Sequence, residues 1–146
     1  MLDLRYLAPD FAVAPQIALE DLDEAARLGF RTVINNRPED EVPESLRDAA
    51  FAAAAEAAGL RYLFLPYEPG LLTSALAEAF EAAVAVAPHP VLAWCRSGTR
   101  SSHLWALAQA GQRPVEEILS AAAQAGYDHS GLVPLLRAKA MAAASR

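Results

Sequence analysis

Apolar and polar positions in this chain follow two rhythms that alternate along it. Residues 18–28 set Leu19, Leu22 and Ala26 three or four apart, with Glu20, Asp21 and Asp23 near the start and Gly29 after the end. That spacing predicts a helix with its acids at the positive end of the dipole. Arg31-Thr32-Val33-Ile34-Asn35 is a short apolar run of strand type. Residues 36–45 carry Pro38, Pro43 and several acids and read as a loop. A second helix is expected over 46–58, stopped by Gly59, and a strand over 61–66. Tyr67-Glu68-Pro69-Gly70 is a turn. Thr73 or Ser74 can cap a helix to about Ala87, with Leu76, Phe80 and Val84 along one stripe.

Pro88 and Pro90 bracket the entry to the next apolar run, Val91 to Trp94. A helix follows over 101–111. Another opens at Pro114, with Val115, Ile118, Leu119 and Ala122 on one face and Gly126 closing it. Leu132 to Ala144 is a last helix. Strand alternating with helix predicts the α/β class, with a mainly parallel central sheet flanked by helices on both faces, as a single domain over residues 1–146. Right-handed crossovers would bring the loops after Asn35, Pro66 and Trp94 to one edge of that sheet. Open α/β sheets bind ligands at that carboxyl edge.

Composition narrows the partners. The net charge is −6, which argues against nucleic acid or an anionic membrane surface. Asp3, Arg5 and Asp10 interrupt the N-terminal region, so no signal peptide is expected, and no apolar stretch is long enough for a membrane span. A single cysteine, Cys95, excludes an internal disulfide and points to a reducing, cytoplasmic setting. His89, His103 and His129 lack ligand spacing, so neither a metal nor a cofactor is expected. Trp94 and Trp105 read as core aromatics.

The chemistry concentrates in Cys95-Arg96-Ser97-Gly98-Thr99-Arg100-Ser101. A buried-type strand delivers Cys95 to the sheet edge, and a helix begins six residues later, at Ser101. Free N–H groups at a helix start, with its dipole, make an anion cradle and favour a thiolate nucleophile. Arg100 can close a planar fork on two oxygens of a tetrahedral anion. Arg96, Ser97, Gly98 and Thr99 would line the cradle, and a hydroxyl from Thr99 or Ser101 can assist departure of the sulfur. A thiolate here can attack phosphorus in a small anionic or phosphorylated substrate. Such a reaction wants an acid for the leaving oxygen. Glu68, in the turn after the preceding strand, is the best placed, with Asp40 and Glu41 behind it. Arg37, on the same edge, either pairs with an acid or touches the anion.

Through Pro15-Gln16, Val33-Ile34-Asn35-Asn36-Arg37-Pro38 with Glu41, Ala57-Ala58-Gly59, Tyr62 with Pro66, the cysteine loop, and Ala125-Gly126-Tyr127-Asp128, the chain resembles the phosphatase-like domain of the β-lactamase-hydrolase-like proteins. The resemblance implies a fold like the dual-specificity tyrosine phosphatases, with Cys95 and Arg100 in the catalytic positions. The wider phosphatase pattern has five residues between Cys and Arg, a His before the Cys, and a general-acid Asp. Here there are four residues, Trp94, and only Glu68. The loop also resembles that of single-domain rhodaneses, where the cysteine carries a persulfide and no general acid is required. Members of the resembled family occur fused to a sulfur-metabolising metallohydrolase-fold domain, which implies association with such a protein. Three readings therefore stand: a phosphatase-like hydrolase, a sulfurtransferase on the same cysteine, and an oxyanion-binding regulatory module with little turnover.

Overall fold

The computed structural model describes residues 1–145. Five strands form one sheet: β1 (Arg5–Ala8), β2 (Phe11–Ala14), β3 (Thr32–Asn35), β4 (Arg61–Phe64) and β5 (Val91–Trp94). Their spatial order is β1-β2-β5-β3-β4. Only the β1–β2 hairpin is antiparallel; β2, β5, β3 and β4 run parallel. The mainly parallel sheet expected from the sequence pattern is thus present. The hairpin is an addition that residues 1–17 did not announce, because β2 is a four-residue segment alternating with alanine, Phe-Ala-Val-Ala.

The helices are α1 (Asp21–Arg27), α2 (Asp48–Ala58), α3 (Ser74–Val86), α4 (Thr99–Gln109), α5 (Val115–Gln124) and α6 (Val133–Ala144). Side chains alternate across β5, and this divides the core in two. Val91 and Ala93 join Phe80, Leu104, Trp105, Ile118 and Leu136 from α3 to α6. Leu92 and Trp94 join Leu22 and Phe51 from α1 and α2, with the Trp94 and Phe51 rings 4.9 Å apart. Both faces of the sheet are therefore covered, which parallel strands require. Of the two caps open to α3, Thr73 is the one used: its hydroxyl accepts from the Leu76 N–H at 3.1 Å, an interaction worth ~1 kcal/mol. Among the described residues no helix is long and apolar enough to cross a membrane.

Register decides the position of the cysteine. Trp94 lies beside Ala14 on one side and Asn35 on the other. Residues 15–16, 36–37 and 95–96 therefore leave the sheet together, at the carboxyl edge of its centre. Helix α4 starts at Thr99, two residues earlier than the sequence pattern indicates. Its N-cap is Gly98 at φ +89°, a left-handed conformation that favours glycine.

Candidate active site around Cys95

Cys95 follows the last residue of β5 and has no accessible surface, whereas Arg96 and Ser97 directly after it are exposed. It belongs to neither apolar cluster. The Gly98 N–H donates to Cys95 Sγ at 3.1 Å, closing the loop on its own sulfur. The first internal bond of α4 runs from the Ser102 N–H to the Gly98 carbonyl at 2.9 Å. The N–H groups of Arg100 and Ser101 precede it in the opening turn and have no intrahelical acceptor.

Arg100 is held by three bonds. Its Nη1 donates to Glu41 Oε2 at 2.9 Å and to the Tyr67 carbonyl at 2.6 Å, and its Nη2 donates to Glu41 Oε1 at 2.7 Å. A guanidinium has five N–H groups in a rigid plane. These bonds use both hydrogens of Nη1 and one of Nη2. The remaining Nη2 hydrogen and the Nε hydrogen form one straight edge, with no protein acceptor among the described residues. That edge is the geometry of a fork for two oxygens. The Arg100 guanidinium holds the Glu41 carboxyl below the usual carboxylate range, against the opposing effect of burial. Glu41 is thus an ionised acceptor, the opposite of an acid ready to give up a proton.

Arg37 supports the same carboxylate. Its Nε reaches Glu41 Oε1 at 3.3 Å, its Nη2 the Glu41 carbonyl at 3.1 Å, and its Nη1 Gln16 Oε1 at 3.1 Å. Of the two roles the sequence leaves open for Arg37, pairing with an acid is the one seen, since all three nitrogens are engaged. Gln16 also touches the loop directly, its N–H donating to the Arg96 carbonyl at 3.1 Å.

Ser101 is fully buried, and its hydroxyl donates to Asn36 Oδ1 at 2.8 Å. With its one proton so placed it ties α4 to the segment after β3 and has none to offer the sulfur. The leaving-group role expected of Ser101 would require this bond to break first. Thr99 Oγ1 lies 2.9 Å from Ser97 Oγ, so the two small hydroxyls of the loop pair with each other. Glu68 directly follows Tyr67, whose carbonyl holds Arg100, but its own carboxylate is exposed and has no hydrogen-bond partner among the described residues.

A buried polar cluster flanks the opening turn of α4. Ser102 Oγ is 2.7 Å from the Thr99 carbonyl and 2.8 Å from His129 Nε2. A carbonyl only accepts, so the hydroxyl proton goes to Thr99 and His129 Nε2–H donates to Ser102. His103 packs edge-on to His129, 4.8 Å between centroids, and its Nδ1 is 3.1 Å from the Tyr67 hydroxyl. Burial, with His129 alongside, drives His103 down to about 4, so it is neutral at neutral pH. Nothing in the sequence marks the roles of His129 and the Tyr67 carbonyl, whereas the four-residue spacing of Arg37 and Glu41 is that of an ion pair.

The fold is that of a known class. The model of the phosphatase-like domain of beta-lactamase hydrolase-like proteins matches residues 3–112, and the chain belongs to that family. It is 34% identical over 132 residues to the beta-lactamase hydrolase-like protein of Xylella fastidiosa strain Temecula1, covering 89% of this chain and 31% of that protein. The chain thus spans about a third of the length of that relative. A crystal structure of a candidate phosphatase from Neisseria meningitidis superposes with TM-score 0.77 at 33% identity, over 92% of this chain and 96% of the other. The active form of Tk-PTP shares the fold, with TM-score 0.68 at 20% identity over 94% of this chain and 95% of that one. The protein is therefore phosphatase-like in family and fold.

Proposed function

We propose that the protein is a cysteine-dependent phosphomonoesterase acting through a cysteinyl-phosphate. The observation that carries the reading is the free Nε/Nη2 edge of Arg100, fixed by Glu41 in the helix turn that follows the Cys95 loop. In this reading a small phosphorylated substrate seats its oxygens on that edge and on the N–H groups of the opening turn. Cys95 thiolate attacks phosphorus and the bond to the leaving oxygen breaks. That oxygen departs as an anion when it is acidic, or takes a proton from solvent. Water then attacks phosphorus, the S–P bond breaks, and inorganic phosphate leaves with the thiolate regenerated. Because Cys95 is buried, the side chains around it must give way as the substrate enters. Glu41 is a positioning residue here, and Arg96 and Ser97 form the exposed rim.

A sulfurtransferase is the second reading. It is favoured by the four-residue spacing from Cys95 to Arg100 and by the exposed, unpartnered Glu68, since sulfur transfer needs no proton donor. Brief exposure to p-nitrophenyl phosphate or to thiosulfate, followed by mass spectrometry of the Cys95 peptide, separates the two. The proposal expects a phosphoryl adduct that Cys95→Ser abolishes. A reductant-sensitive persulfide without any phosphoryl adduct would replace it with the second reading. Oxyanion binding with neither adduct would leave only a binding module.

A further inference from the structure

Tyr127 lies thirty residues beyond the loop, in the segment after α5, yet it reaches into the loop's backbone. Its hydroxyl donates to the Ser97 carbonyl at 3.0 Å. That carbonyl belongs to the Ser97–Gly98 peptide, whose N–H is the one that donates to Cys95 Sγ at 3.1 Å. The peptide is trans, and in a trans peptide C=O and N–H point in opposite directions. One rigid plane is therefore pinned at both ends, by Tyr127 on its oxygen and by the sulfur on its hydrogen. Rotating the plane to free either bond breaks the other. The preceding peptide is treated similarly, for its Arg96 carbonyl accepts from the Gln16 N–H.

Tyr127 is itself firmly placed. Arg5 lies over one side of its ring at 5.4 Å, and its ring is near-parallel to that of His129, at 14° and 6.0 Å. A Cβ added at Gly98 would run into the Tyr127 hydroxyl, so the glycine and the tyrosine fit each other as well as the turn. Burial raises Tyr127 above the ordinary phenol range, which keeps its hydroxyl a donor.

We infer that Tyr127 is a positioning residue for the nucleophile: its hydroxyl sets the orientation of the Ser97–Gly98 peptide and so holds the Gly98 N–H on the Cys95 sulfur. This rests on the reading of Cys95 as the reactive group, and it adds a determinant outside the loop.

The test is Tyr127→Phe, which keeps the ring and removes only the hydroxyl. Two measurements are made on the folded protein at fixed pH: the rate of Cys95 alkylation by iodoacetamide, and steady-state hydrolysis of p-nitrophenyl phosphate. The inference expects alkylation to change by about threefold or more and kcat to fall by roughly tenfold with KM within about twofold, the pattern of a group that acts on the reacting atoms and not on substrate binding. Alkylation and kcat both within twofold of the parent would overturn it, even if the melting temperature drops, because that combination describes a purely structural tyrosine. If Tyr127→Phe does not fold, Tyr127→Leu, which also removes the hydroxyl without altering the loop, should give the same alkylation change. A parent protein without hydrolytic activity would defeat the phosphatase reading while the alkylation comparison still decides this one.

Discussion

Glu41 grips Arg100 with both carboxylate oxygens, 2.9 Å from Nη1 and 2.7 Å from Nη2, across 59 residues of sequence. Neither side chain is more than a fifth exposed. A charge-assisted, two-point contact of this kind fixes direction as well as distance, and here it turns the other edge of the guanidinium outward. Glu41→Gln replaces one accepting oxygen by a donor facing a donor. We expect a stability loss of ~1–2 kcal/mol in urea denaturation, discounted for partial exposure. Turnover and phosphate binding should both weaken about tenfold or more, since the fork is no longer held. Arg100→Lys should show the same binding defect. Unchanged phosphate binding in both variants would mean that the free edge of Arg100 is not the anion site.

Glu68 faces solvent without a partner among the described residues. No hydrogen bond aims this carboxylate at the Cys95 loop among the described residues. Glu68→Gln should alter hydrolysis of tyrosyl and alkyl phosphates by less than about threefold, where loss of a true general acid costs roughly 10²-fold or more. A large loss confined to substrates with poor leaving groups, measured as kcat/KM across a leaving-group series, would make Glu68 the acid after all.

Ser101→Ala leaves Asn36 Oδ1 buried without the hydroxyl that now donates to it. An orphaned buried acceptor costs about 1–3 kcal/mol. Thermal denaturation should show a clearly lowered midpoint. The rate of release of phosphate from any cysteinyl adduct should change little, because the hydroxyl is committed to Asn36. A slowed release step at unchanged stability would restore a chemical role for Ser101.

Stability should fall as the pH is lowered from neutral. The folded protein holds His103 down at about 4, against an ordinary 6.5, so between those values the unfolded chain binds the extra proton. Stability therefore rises with pH across that window and receives no further change from His103 above it. His129, lowered chiefly by burial, adds to the slope. Glu41 acts further down: its contribution is present above the ordinary carboxylate value of 4.5 and is lost as the pH falls through its depressed folded value. Urea midpoints at several pH values from 4 to 7 measure the slope. His103→Gln should flatten it between about 4.5 and 6.5, and an unchanged slope would count against the neutral, half-buried histidine.

The sequence alone determined a great deal of this protein. The alternation of short apolar runs with helix-spaced stripes specified a parallel, doubly covered sheet, because side chains of a strand alternate faces while those of a helix recur every three to four residues. It placed Cys95 at the end of Val91–Trp94 and Arg100 at a helix start, since both follow from local order along the chain. The apolar pattern alone sets the start of α4 two positions late, at 101, because Thr99 and Arg100 carry no apolar signal. What remained hidden depends on contacts between segments far apart. Nothing in Phe11-Ala12-Val13-Ala14 marks it as the neighbour of β5; that follows from strand order, which tertiary packing decides. Glu41 became the holder of Arg100, and Ser101 the partner of Asn36, because β3 and β5 lie side by side in register. Tyr127 reaches the Ser97 carbonyl only because the segment after α5 folds back beside the loop. A sequence states which groups can donate and accept; the fold decides which donor meets which acceptor, and so which of several plausible side chains is left free for chemistry.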